Sequence, residues 1–332
     1  MVRFVIGVAL VAALAARCGE ASPSPVTPSP ASSASSASSA SPAVTASPPA
    51  GSAGCAAGPV LARGEHLMSF GGLQRRFLLS LPAGPGPHPV LLNLHGMGSN
   101  AVEQAVYSRL PDVGARRGYI VATPQSAEGR FGWTLPHMGG PDDTGFLGAL
   151  LDRLEQGLCV DRRHEFAAGM SLGAGMSAGL VCALNGRLAG VGLVAGVNIV
   201  RPCDDPRPTT VIAFHGVADR VVPYEGGPPL RFASEKLRKL GALVKLPPVE
   251  QAAGGWARAF GCTGRADGTP ARGVRLRGWT ACRGGVTVRL YSVRDGGHTW
   301  PGAREVPRLG ATTRALDATG VILDAFDAAP PR

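Results

Sequence analysis

Short runs of apolar residues recur along the chain from about residue 90 onward. A strand buried on both faces of a parallel sheet reads as a continuous apolar run, whereas a helix repeats its apolar positions every three to four residues. Helical patterns over 144–157, 174–184 and 317–326 alternate with these runs, and Asp142 or Asp143 would cap the first of them. The alternation predicts an α/β fold with a doubly wound, mostly parallel sheet. The predicted buried strands are Val90 to Leu94, Tyr119 to Ala122, Glu165 to Ala168, Val191 to Val197 and Val211 to Phe214.

A candidate nucleophile lies where one of these strands meets a helix. Ser171 is the centre of a Gly-Met-Ser-Leu-Gly motif that follows the run 164–168 and precedes the helix 174–184. A serine on such a sharp turn has an exposed hydroxyl, with the positive end of the helix beside the charge that develops. A second motif of the same spacing places Ser177 nearly two turns into the helix. We therefore expect Ser171 to react and Ser177 to pack within the helix.

An acid and a base follow this serine along the chain. Asp219 comes just after the apolar run 210–214, and His298 lies in a glycine-rich turn after the run 286–293. In a hydrolase of this order, the histidine takes the proton of the serine, and the aspartate fixes the imidazole tautomer and stabilises the imidazolium. Either residue alone would most often be a solvated surface residue. The three types in this order predict a triad of Ser171, Asp219 and His298.

An oxyanion hole is expected from an earlier segment, His95-Gly-Met-Gly-Ser-Asn100, which follows the predicted strand 90–94. Its glycines leave the backbone free to direct N–H groups toward a developing negative charge. We predict donors from the N–H groups of Met97 and Leu172, the alternative being that the segment is only a turn. The side chain of His95 is expected to be structural rather than catalytic.

Five segments of the chain together form a recognisable pattern. They are Leu94-His-Gly, Asp142 to Phe146, Gly169 to Gly173, Phe214 to Tyr224 and Gly296 to Gly302. With these segments, the chain over roughly residues 55–328 resembles the secreted polyhydroxybutyrate depolymerases and their relatives, the feruloyl and acetylxylan esterases. This resemblance implies an α/β-hydrolase fold, a Ser-His-Asp mechanism without a cofactor, and carboxylic ester substrates. It does not distinguish a polymeric substrate from a soluble ester.

Two tryptophans are candidates for the substrate pocket. Trp300 lies two residues beyond His298, about 7 Å of extended chain away, so its ring borders the cleft or packs under the histidine loop. The resemblance places Trp133 near the same site. We expect both rings to form apolar walls suited to short-chain, phenolic or hydroxyalkanoate esters, with ordinary core packing as the alternative.

The beginning of the chain differs in composition from the rest. Residues 1–21 have a basic start and a short apolar core, which is typical of a signal peptide. Residues 22–54 are almost entirely Ser, Ala, Pro and Thr and predict a disordered linker, which leaves 55–332 as one catalytic domain. We therefore expect a secreted protein. Lipidation at Cys18 is the alternative, although Arg17 stands where a lipobox has a small residue.

The net charge of +10 comes from arginines spread along the chain, with only three lysines, at 236, 239 and 245. No alternation of aromatic and basic residues accompanies them, so nucleic acid is not an expected partner, while an anionic wall polymer stays open. The sequence contains no metal-binding cluster or phosphate-binding loop, and we expect no cofactor and no metal. The apolar start is too short for a stable membrane span. The oligomeric state is left open.

Six cysteines follow the predicted signal peptide, and six can pair in fifteen ways. Cys262 and Cys282 bracket a Gly-, Arg- and Thr-rich segment of low apolar content, where a covalent link would add most stability, so we predict this bond. The alternative is buried free thiols. The weaker expectations are Cys159 with Cys182, and Cys55 with Cys203.

Two other classes of protein are compatible with the fold. A serine peptidase would keep the triad but would need a group that binds a peptide terminus, and the sequence offers none. A catalytically silent binding protein would not need all three triad residue types. The sequence therefore favours a carboxylic ester hydrolase over both.

Overall fold

The computed structural model describes residues 51–136 and 138–332. The predicted signal peptide, Cys18 and nearly all of the predicted linker lie outside the described residues. Besides two short 3-10 turns, Arg283–Gly285 and Pro307–Leu309, the described residues form eight helices and eleven strands. These elements are α1 Gly54–Ala57, β1 Gly64–Phe70, β2 Leu73–Ser80, β3 His88–Leu94, α2 Ala101–Ser108, α3 Leu110–Arg116, β4 Ile120–Pro124, α4 Asp143–Gly157, β5 Val160–Met170, α5 Leu172–Ala183, β6 Gly190–Val194, β7 Thr210–Gly216, α6 Glu235–Gly241, α7 Val249–Ala259, β8 Gly264–Arg265, β9 Gly268–Ala271, β10 Val274–Thr280, β11 Val288–Val293 and α8 Ala318–Asp327.

The strands form one sheet in the order β1-β2-β4-β3-β5-β6-β7-β11-β10-β8, with β9 paired to β10. The six central strands from β4 to β11 run parallel, and the strands at both edges run antiparallel. Every residue of β4, β6 and β7 is buried, as expected for strands covered on both faces. The predicted α/β class with a mostly parallel sheet is confirmed.

Helices pack on both faces of this sheet and form two hydrophobic cores. Neighbouring residues of β5 contribute to different cores, because successive side chains of a strand point to opposite faces. Ala167 belongs to the core that includes Phe146 of α4 and Trp256 of α7. Phe166 belongs to the other core and stacks on Phe326 of α8, with ring centroids 4.3 Å apart.

The pair Asp142 and Asp143 has two separate roles at the start of α4. Asp142 is the N-cap, and its carboxylate accepts a hydrogen bond from the Gly145 N–H at 2.8 Å. Asp143 is buried within the first turn, where it pairs with Arg75 at 2.6 Å and accepts the Thr134 N–H at 2.7 Å. This ion pair ties α4 to β2, which the sequence pattern did not predict as a strand.

The folded domain begins earlier than residue 55. Gly51 forms a β-bridge to Asp161, and Ser52 is buried with its hydroxyl donating to the Leu158 carbonyl at 2.7 Å. Residues 51–54, placed in the linker by their composition, therefore contact the start of β5. No helix within the part of the chain that the structure describes has the length and apolar character needed to cross a membrane.

Three disulfides join the six cysteines, and one of them links Cys262 to Cys282. The two weaker pairings were wrong. Because residues 51–57 lie against the start of β5, Cys55 bonds to Cys159 instead of Cys203. The segment after β6 returns to the end of α5, where Cys203 bonds to Cys182 and its N–H donates to the Cys182 sulfur at 3.1 Å.

Candidate active site

Ser171 occupies the turn between β5 and α5 in a conformation that few non-glycine residues adopt. Its φ is 55° and its ψ is −121°, and its N–H donates to the Val194 carbonyl of β6 at 2.8 Å. Strained backbone of this kind persists only where the surroundings hold it, and it concentrates at functional sites. The turn therefore has the geometry of a nucleophile elbow.

The glycines on either side of Ser171 permit the close packing of this turn. A Cβ at Gly169 would collide with the backbone of Gly173, and a Cβ at Gly173 would collide with the Leu94 carbonyl. The Gly-x-Ser-x-Gly spacing is thus explained by contact between β5, α5 and the end of β3.

Ser177 has the structural role that the sequence suggested. Its side chain is fully buried in α5, and its hydroxyl donates to the Gly173 carbonyl at 2.9 Å. A hydroxyl that bonds the carbonyl one turn earlier in its own helix does not face a substrate.

Asp219 and His298 meet at the ends of β7 and β11, which are parallel neighbours. His298 Nδ1 donates to Asp219 Oδ2 at 2.7 Å. Asp219 Oδ1 accepts the N–H groups of Val221 and Val222 at 2.8 and 2.9 Å. This pairing leaves His298 Nε2 as the acceptor nitrogen, which is the arrangement a general base requires.

A second histidine, His215, also contacts the Asp219 carboxylate. The sequence analysis did not identify it as a site residue. Its buried Nε2 lies 3.3 Å from Asp219 Oδ2 and donates to the Val222 carbonyl at 2.9 Å. Burial by itself would raise the pKa of Asp219, but His298 and His215 together hold that pKa well below its usual range. The signal was the position of His215 at the end of β7, four residues before the acid.

Ser171 and His298 line one cleft of about 700 Å³. Its other walls come from the 96–99 segment, from α2 and from the 304–309 segment. The serine hydroxyl does not hydrogen-bond to the histidine in this structure, and such contacts often close only when substrate binds. The predicted nucleophile and base are thus brought together, while Asp219 is buried behind them.

The predicted oxyanion donors lie beside this serine. A Cβ at Gly96 would be 3.4 Å from Ser171 Cβ, so the segment that carries Met97 passes directly over the nucleophile. Gly132 lies against both residues that are predicted to supply the donors, because its Cβ would be 3.4 Å from Met97 Cα and 2.7 Å from the Leu172 side chain. Leu172 is the first residue of α5, where an N–H has no partner within the helix.

The side chain of His95 supports this segment from below. Its Nε2 accepts the Ser126 N–H at 3.1 Å, which leaves Nδ1 to donate to the Gly96 carbonyl at 2.9 Å. Burial lowers the pKa of His95, which favours the neutral ring. The Trp133 indole N–H donates to the His95 carbonyl at 2.9 Å.

Neither tryptophan is a wall of the cleft, so that prediction was wrong. Trp133 is 3% exposed and Trp300 is 0% exposed. The turn after His298 carries the Trp300 ring into the core beneath α8, where its N–H donates to Thr319 Oγ1 at 3.0 Å. A two-residue separation fixes the length of chain between side chains but not the direction in which they point.

We expect Trp300→Ala to reduce stability without changing specificity. Loss of a fully buried indole should lower the free energy of unfolding by about 3–5 kcal/mol. Thermal melts, together with kcat/KM on an acetyl and an aromatic ester, test this, with Trp300→Phe as the control that keeps most of the packing. A selective loss on the aromatic ester in a stable variant would contradict it.

The chain is similar in sequence to known feruloyl esterases. No family model matches the chain. The chain is 28% identical over 236 residues to feruloyl esterase B of Piromyces equi, and the aligned region covers 68% of this chain and 42% of the relative. It is 29% identical over 228 residues to the probable feruloyl esterase C of Aspergillus niger, and here the aligned region covers 64% of this chain and 79% of the relative. The chain thus spans less than half the length of the first of these proteins.

A solved structure shows the same fold. The acetyl xylan esterase of Aspergillus awamori superposes with a TM-score of 0.54 at 12% identity, over 80% of this chain and all of the other. The fold is therefore that of the α/β-hydrolases, as predicted. In sequence the chain is similar to these feruloyl esterases, which agrees with the predicted resemblance.

Proposed function

We propose that this protein is a secreted serine esterase that cleaves carboxylic esters through Ser171, His298 and Asp219. The observation that carries the proposal is the hydrogen-bonded Asp219–His298 pair beside a serine on a nucleophile elbow, with serine and histidine in one cleft. Three disulfides and the signal-like composition of residues 1–21 support export.

The proposed reaction has two steps. His298 Nε2 removes the Ser171 proton as the hydroxyl oxygen attacks the ester carbonyl, and the oxyanion is held by the N–H groups of Met97 and Leu172. His298 then protonates the departing alcohol, which leaves an acyl-enzyme. Water, deprotonated by His298, then attacks this acyl group, and His298 returns the proton to the Ser171 oxygen as the acid departs. Asp219 stays ionised throughout and stabilises the imidazolium.

Short-chain, hydroxyalkanoate and phenolic esters are the proposed substrates. The cleft exposes small apolar surfaces from Met97, Val102, Val106 and Leu309, which suit short or branched acyl groups. Because both predicted tryptophan walls are buried in the core, the cleft itself does not favour phenolic esters. The support for them is the sequence similarity to feruloyl esterases.

Hydrolysis of 4-nitrophenyl acetate, compared with an aminoacyl 4-nitroanilide, distinguishes the three candidate functions. An esterase should cleave the ester far faster than the anilide, whereas a peptidase should cleave both and a binding protein neither. The Ser171→Ala variant is the blank for each assay. Rapid anilide cleavage would contradict the proposal, and so would ester cleavage that persists in the variant. Methyl ferulate and hydroxybutyrate oligomers then rank the substrate classes.

A further inference from the structure

The cleft carries two arginines to which the reaction assigns no role. Arg304 and Arg308 both line it, and both side chains are exposed. Neither guanidinium forms an ion pair with a carboxylate of residues 51–136 or 138–332. The acidic residue that also lines the cleft, Glu103, accepts a hydrogen bond from the Ser99 hydroxyl at 2.7 Å. Two arginines that form no ion pair within the described residues therefore line the cleft.

The segment that carries these arginines is held against the catalytic base. The His298 N–H donates to the Leu309 carbonyl at 2.7 Å, and the Gly297 N–H donates to the Ala311 carbonyl at 2.9 Å. Further along, the Gly302 N–H donates to the Thr313 carbonyl at 2.9 Å. The 303–310 segment is thus a loop closed by backbone hydrogen bonds on the histidine turn itself. An anion bound to its arginines would lie close to the reacting ester.

A different element gives the cleft an apolar side. Val102 and Val106 lie one turn apart on α2 and are 59% and 58% exposed. The helix that presents them is fixed at its start, where the Asn100 side chain accepts the Glu103 N–H at 2.9 Å. A ligand that fills the cleft would therefore place small apolar groups against α2 and an acidic group against the 303–310 loop.

We propose that Arg304 and Arg308 bind a carboxylate carried by the ester substrate itself. This inference rests on the proposed esterase function and narrows its substrate to an anionic ester of a short hydroxyacid. The free-acid dimer of 3-hydroxybutyrate has the required parts, with methyl branches, one ester bond and a terminal carboxylate. Hydrolysis of the dimer carboxylate consumes one water and yields two hydroxybutyrate anions and one proton. Guanidinium groups pair with carboxylates through two parallel hydrogen bonds, which fixes orientation as well as charge.

The test compares this dimer with its terminal N-methylamide, which keeps the same chain and the single ester bond but carries no charge. We expect the wild type to prefer the free acid in kcat/KM by roughly three- to ten-fold at low salt, as befits solvent-exposed ion pairs. The preference should shrink as ionic strength rises, because exposed charges are screened. In the Arg304→Gln, Arg308→Gln double variant the ratio should fall to about one. The control Arg238→Gln alters an exposed arginine of α6 outside the cleft and should keep the wild-type ratio.

A binding measurement makes the result independent of turnover. Calorimetric titration of Ser171→Ala with each ester should show tighter binding of the free acid, lost when both arginines are also replaced by glutamine. Equal affinity for the two esters, or a free-acid preference that survives in the double variant, would overturn the carboxylate site. Failure of the wild type on 4-nitrophenyl acetate would instead overturn the esterase function, while the titration would still decide the role of the arginines.

Discussion

Replacing Ser171 by alanine should lower kcat for 4-nitrophenyl acetate by about 10⁴- to 10⁶-fold, because no other hydroxyl lies on the elbow. Ser177→Ala is the matched control, since its hydroxyl bonds the Gly173 carbonyl inside α5. That variant should retain activity. A fluorophosphonate label should be found on Ser171 by mass spectrometry, and an adduct on Ser177 would refute the assignment.

The effects of replacing Ser171 and His298 should depend on each other. Serine and histidine of a triad act as a unit, so loss of the second adds little once the first is gone. The double variant Ser171→Ala, His298→Ala should therefore be little slower than either single variant. Losses that multiply would show that the two residues act independently and that the proposed triad is wrong.

Asp219→Asn should lower kcat by about 10⁴-fold while the protein stays folded. The asparagine amide can present an N–H to His298, which would reverse the imidazole tautomer and remove the acceptor nitrogen from the serine side. Asp142→Asn is the control, because asparagine also caps helices and the same chemical change then falls outside the site. Circular dichroism checks the fold of both variants. A folded Asp219→Asn enzyme with near-normal kcat would contradict the role of the acid.

The pH dependence of the free energy of unfolding also reports on the role of Asp219. His298 and His215 hold the pKa of Asp219 below the usual aspartate value of 3.8. A carboxylate whose pKa is depressed by folding adds stability above its unfolded pKa, and that stability is lost as pH falls toward the folded pKa. The wild type should therefore lose more stability than Asp219→Asn as pH falls below about 3.8. Parallel acid unfolding curves would contradict this.

The residues of the proposed triad could be singled out from the sequence because each belongs to its own short segment. Ser171, Asp219 and His298 each follow a strand, and parallel strands of one sheet end at the same edge. The order of these segments along the chain then restricts how they can meet. In the same way, continuous apolar runs identified β3 to β7, since strands buried on both faces need them.

Contacts between distant segments were not predictable in this way. The tryptophans differ from the triad because burial of a ring depends on the path of the turn that carries it. Cys55 pairs with Cys159 only because residues 51–57 fold back onto β5, across a separation of 104 residues. His215 is different, because it lies only four residues before Asp219 and its position at the end of β7 was a local signal.

Local sequence thus determined the class of fold, the nucleophilic turn, and the acid and base that follow it, because those features depend on strand and turn preferences within a few residues. Tertiary structure alone decided which side chains line the cleft. Arg304 and Arg308 line it because backbone hydrogen bonds close their loop onto the His298 turn, while the Trp300 ring from that same turn is buried in the core. The direction of a side chain is set by packing against segments far away in the chain, and no short pattern records it.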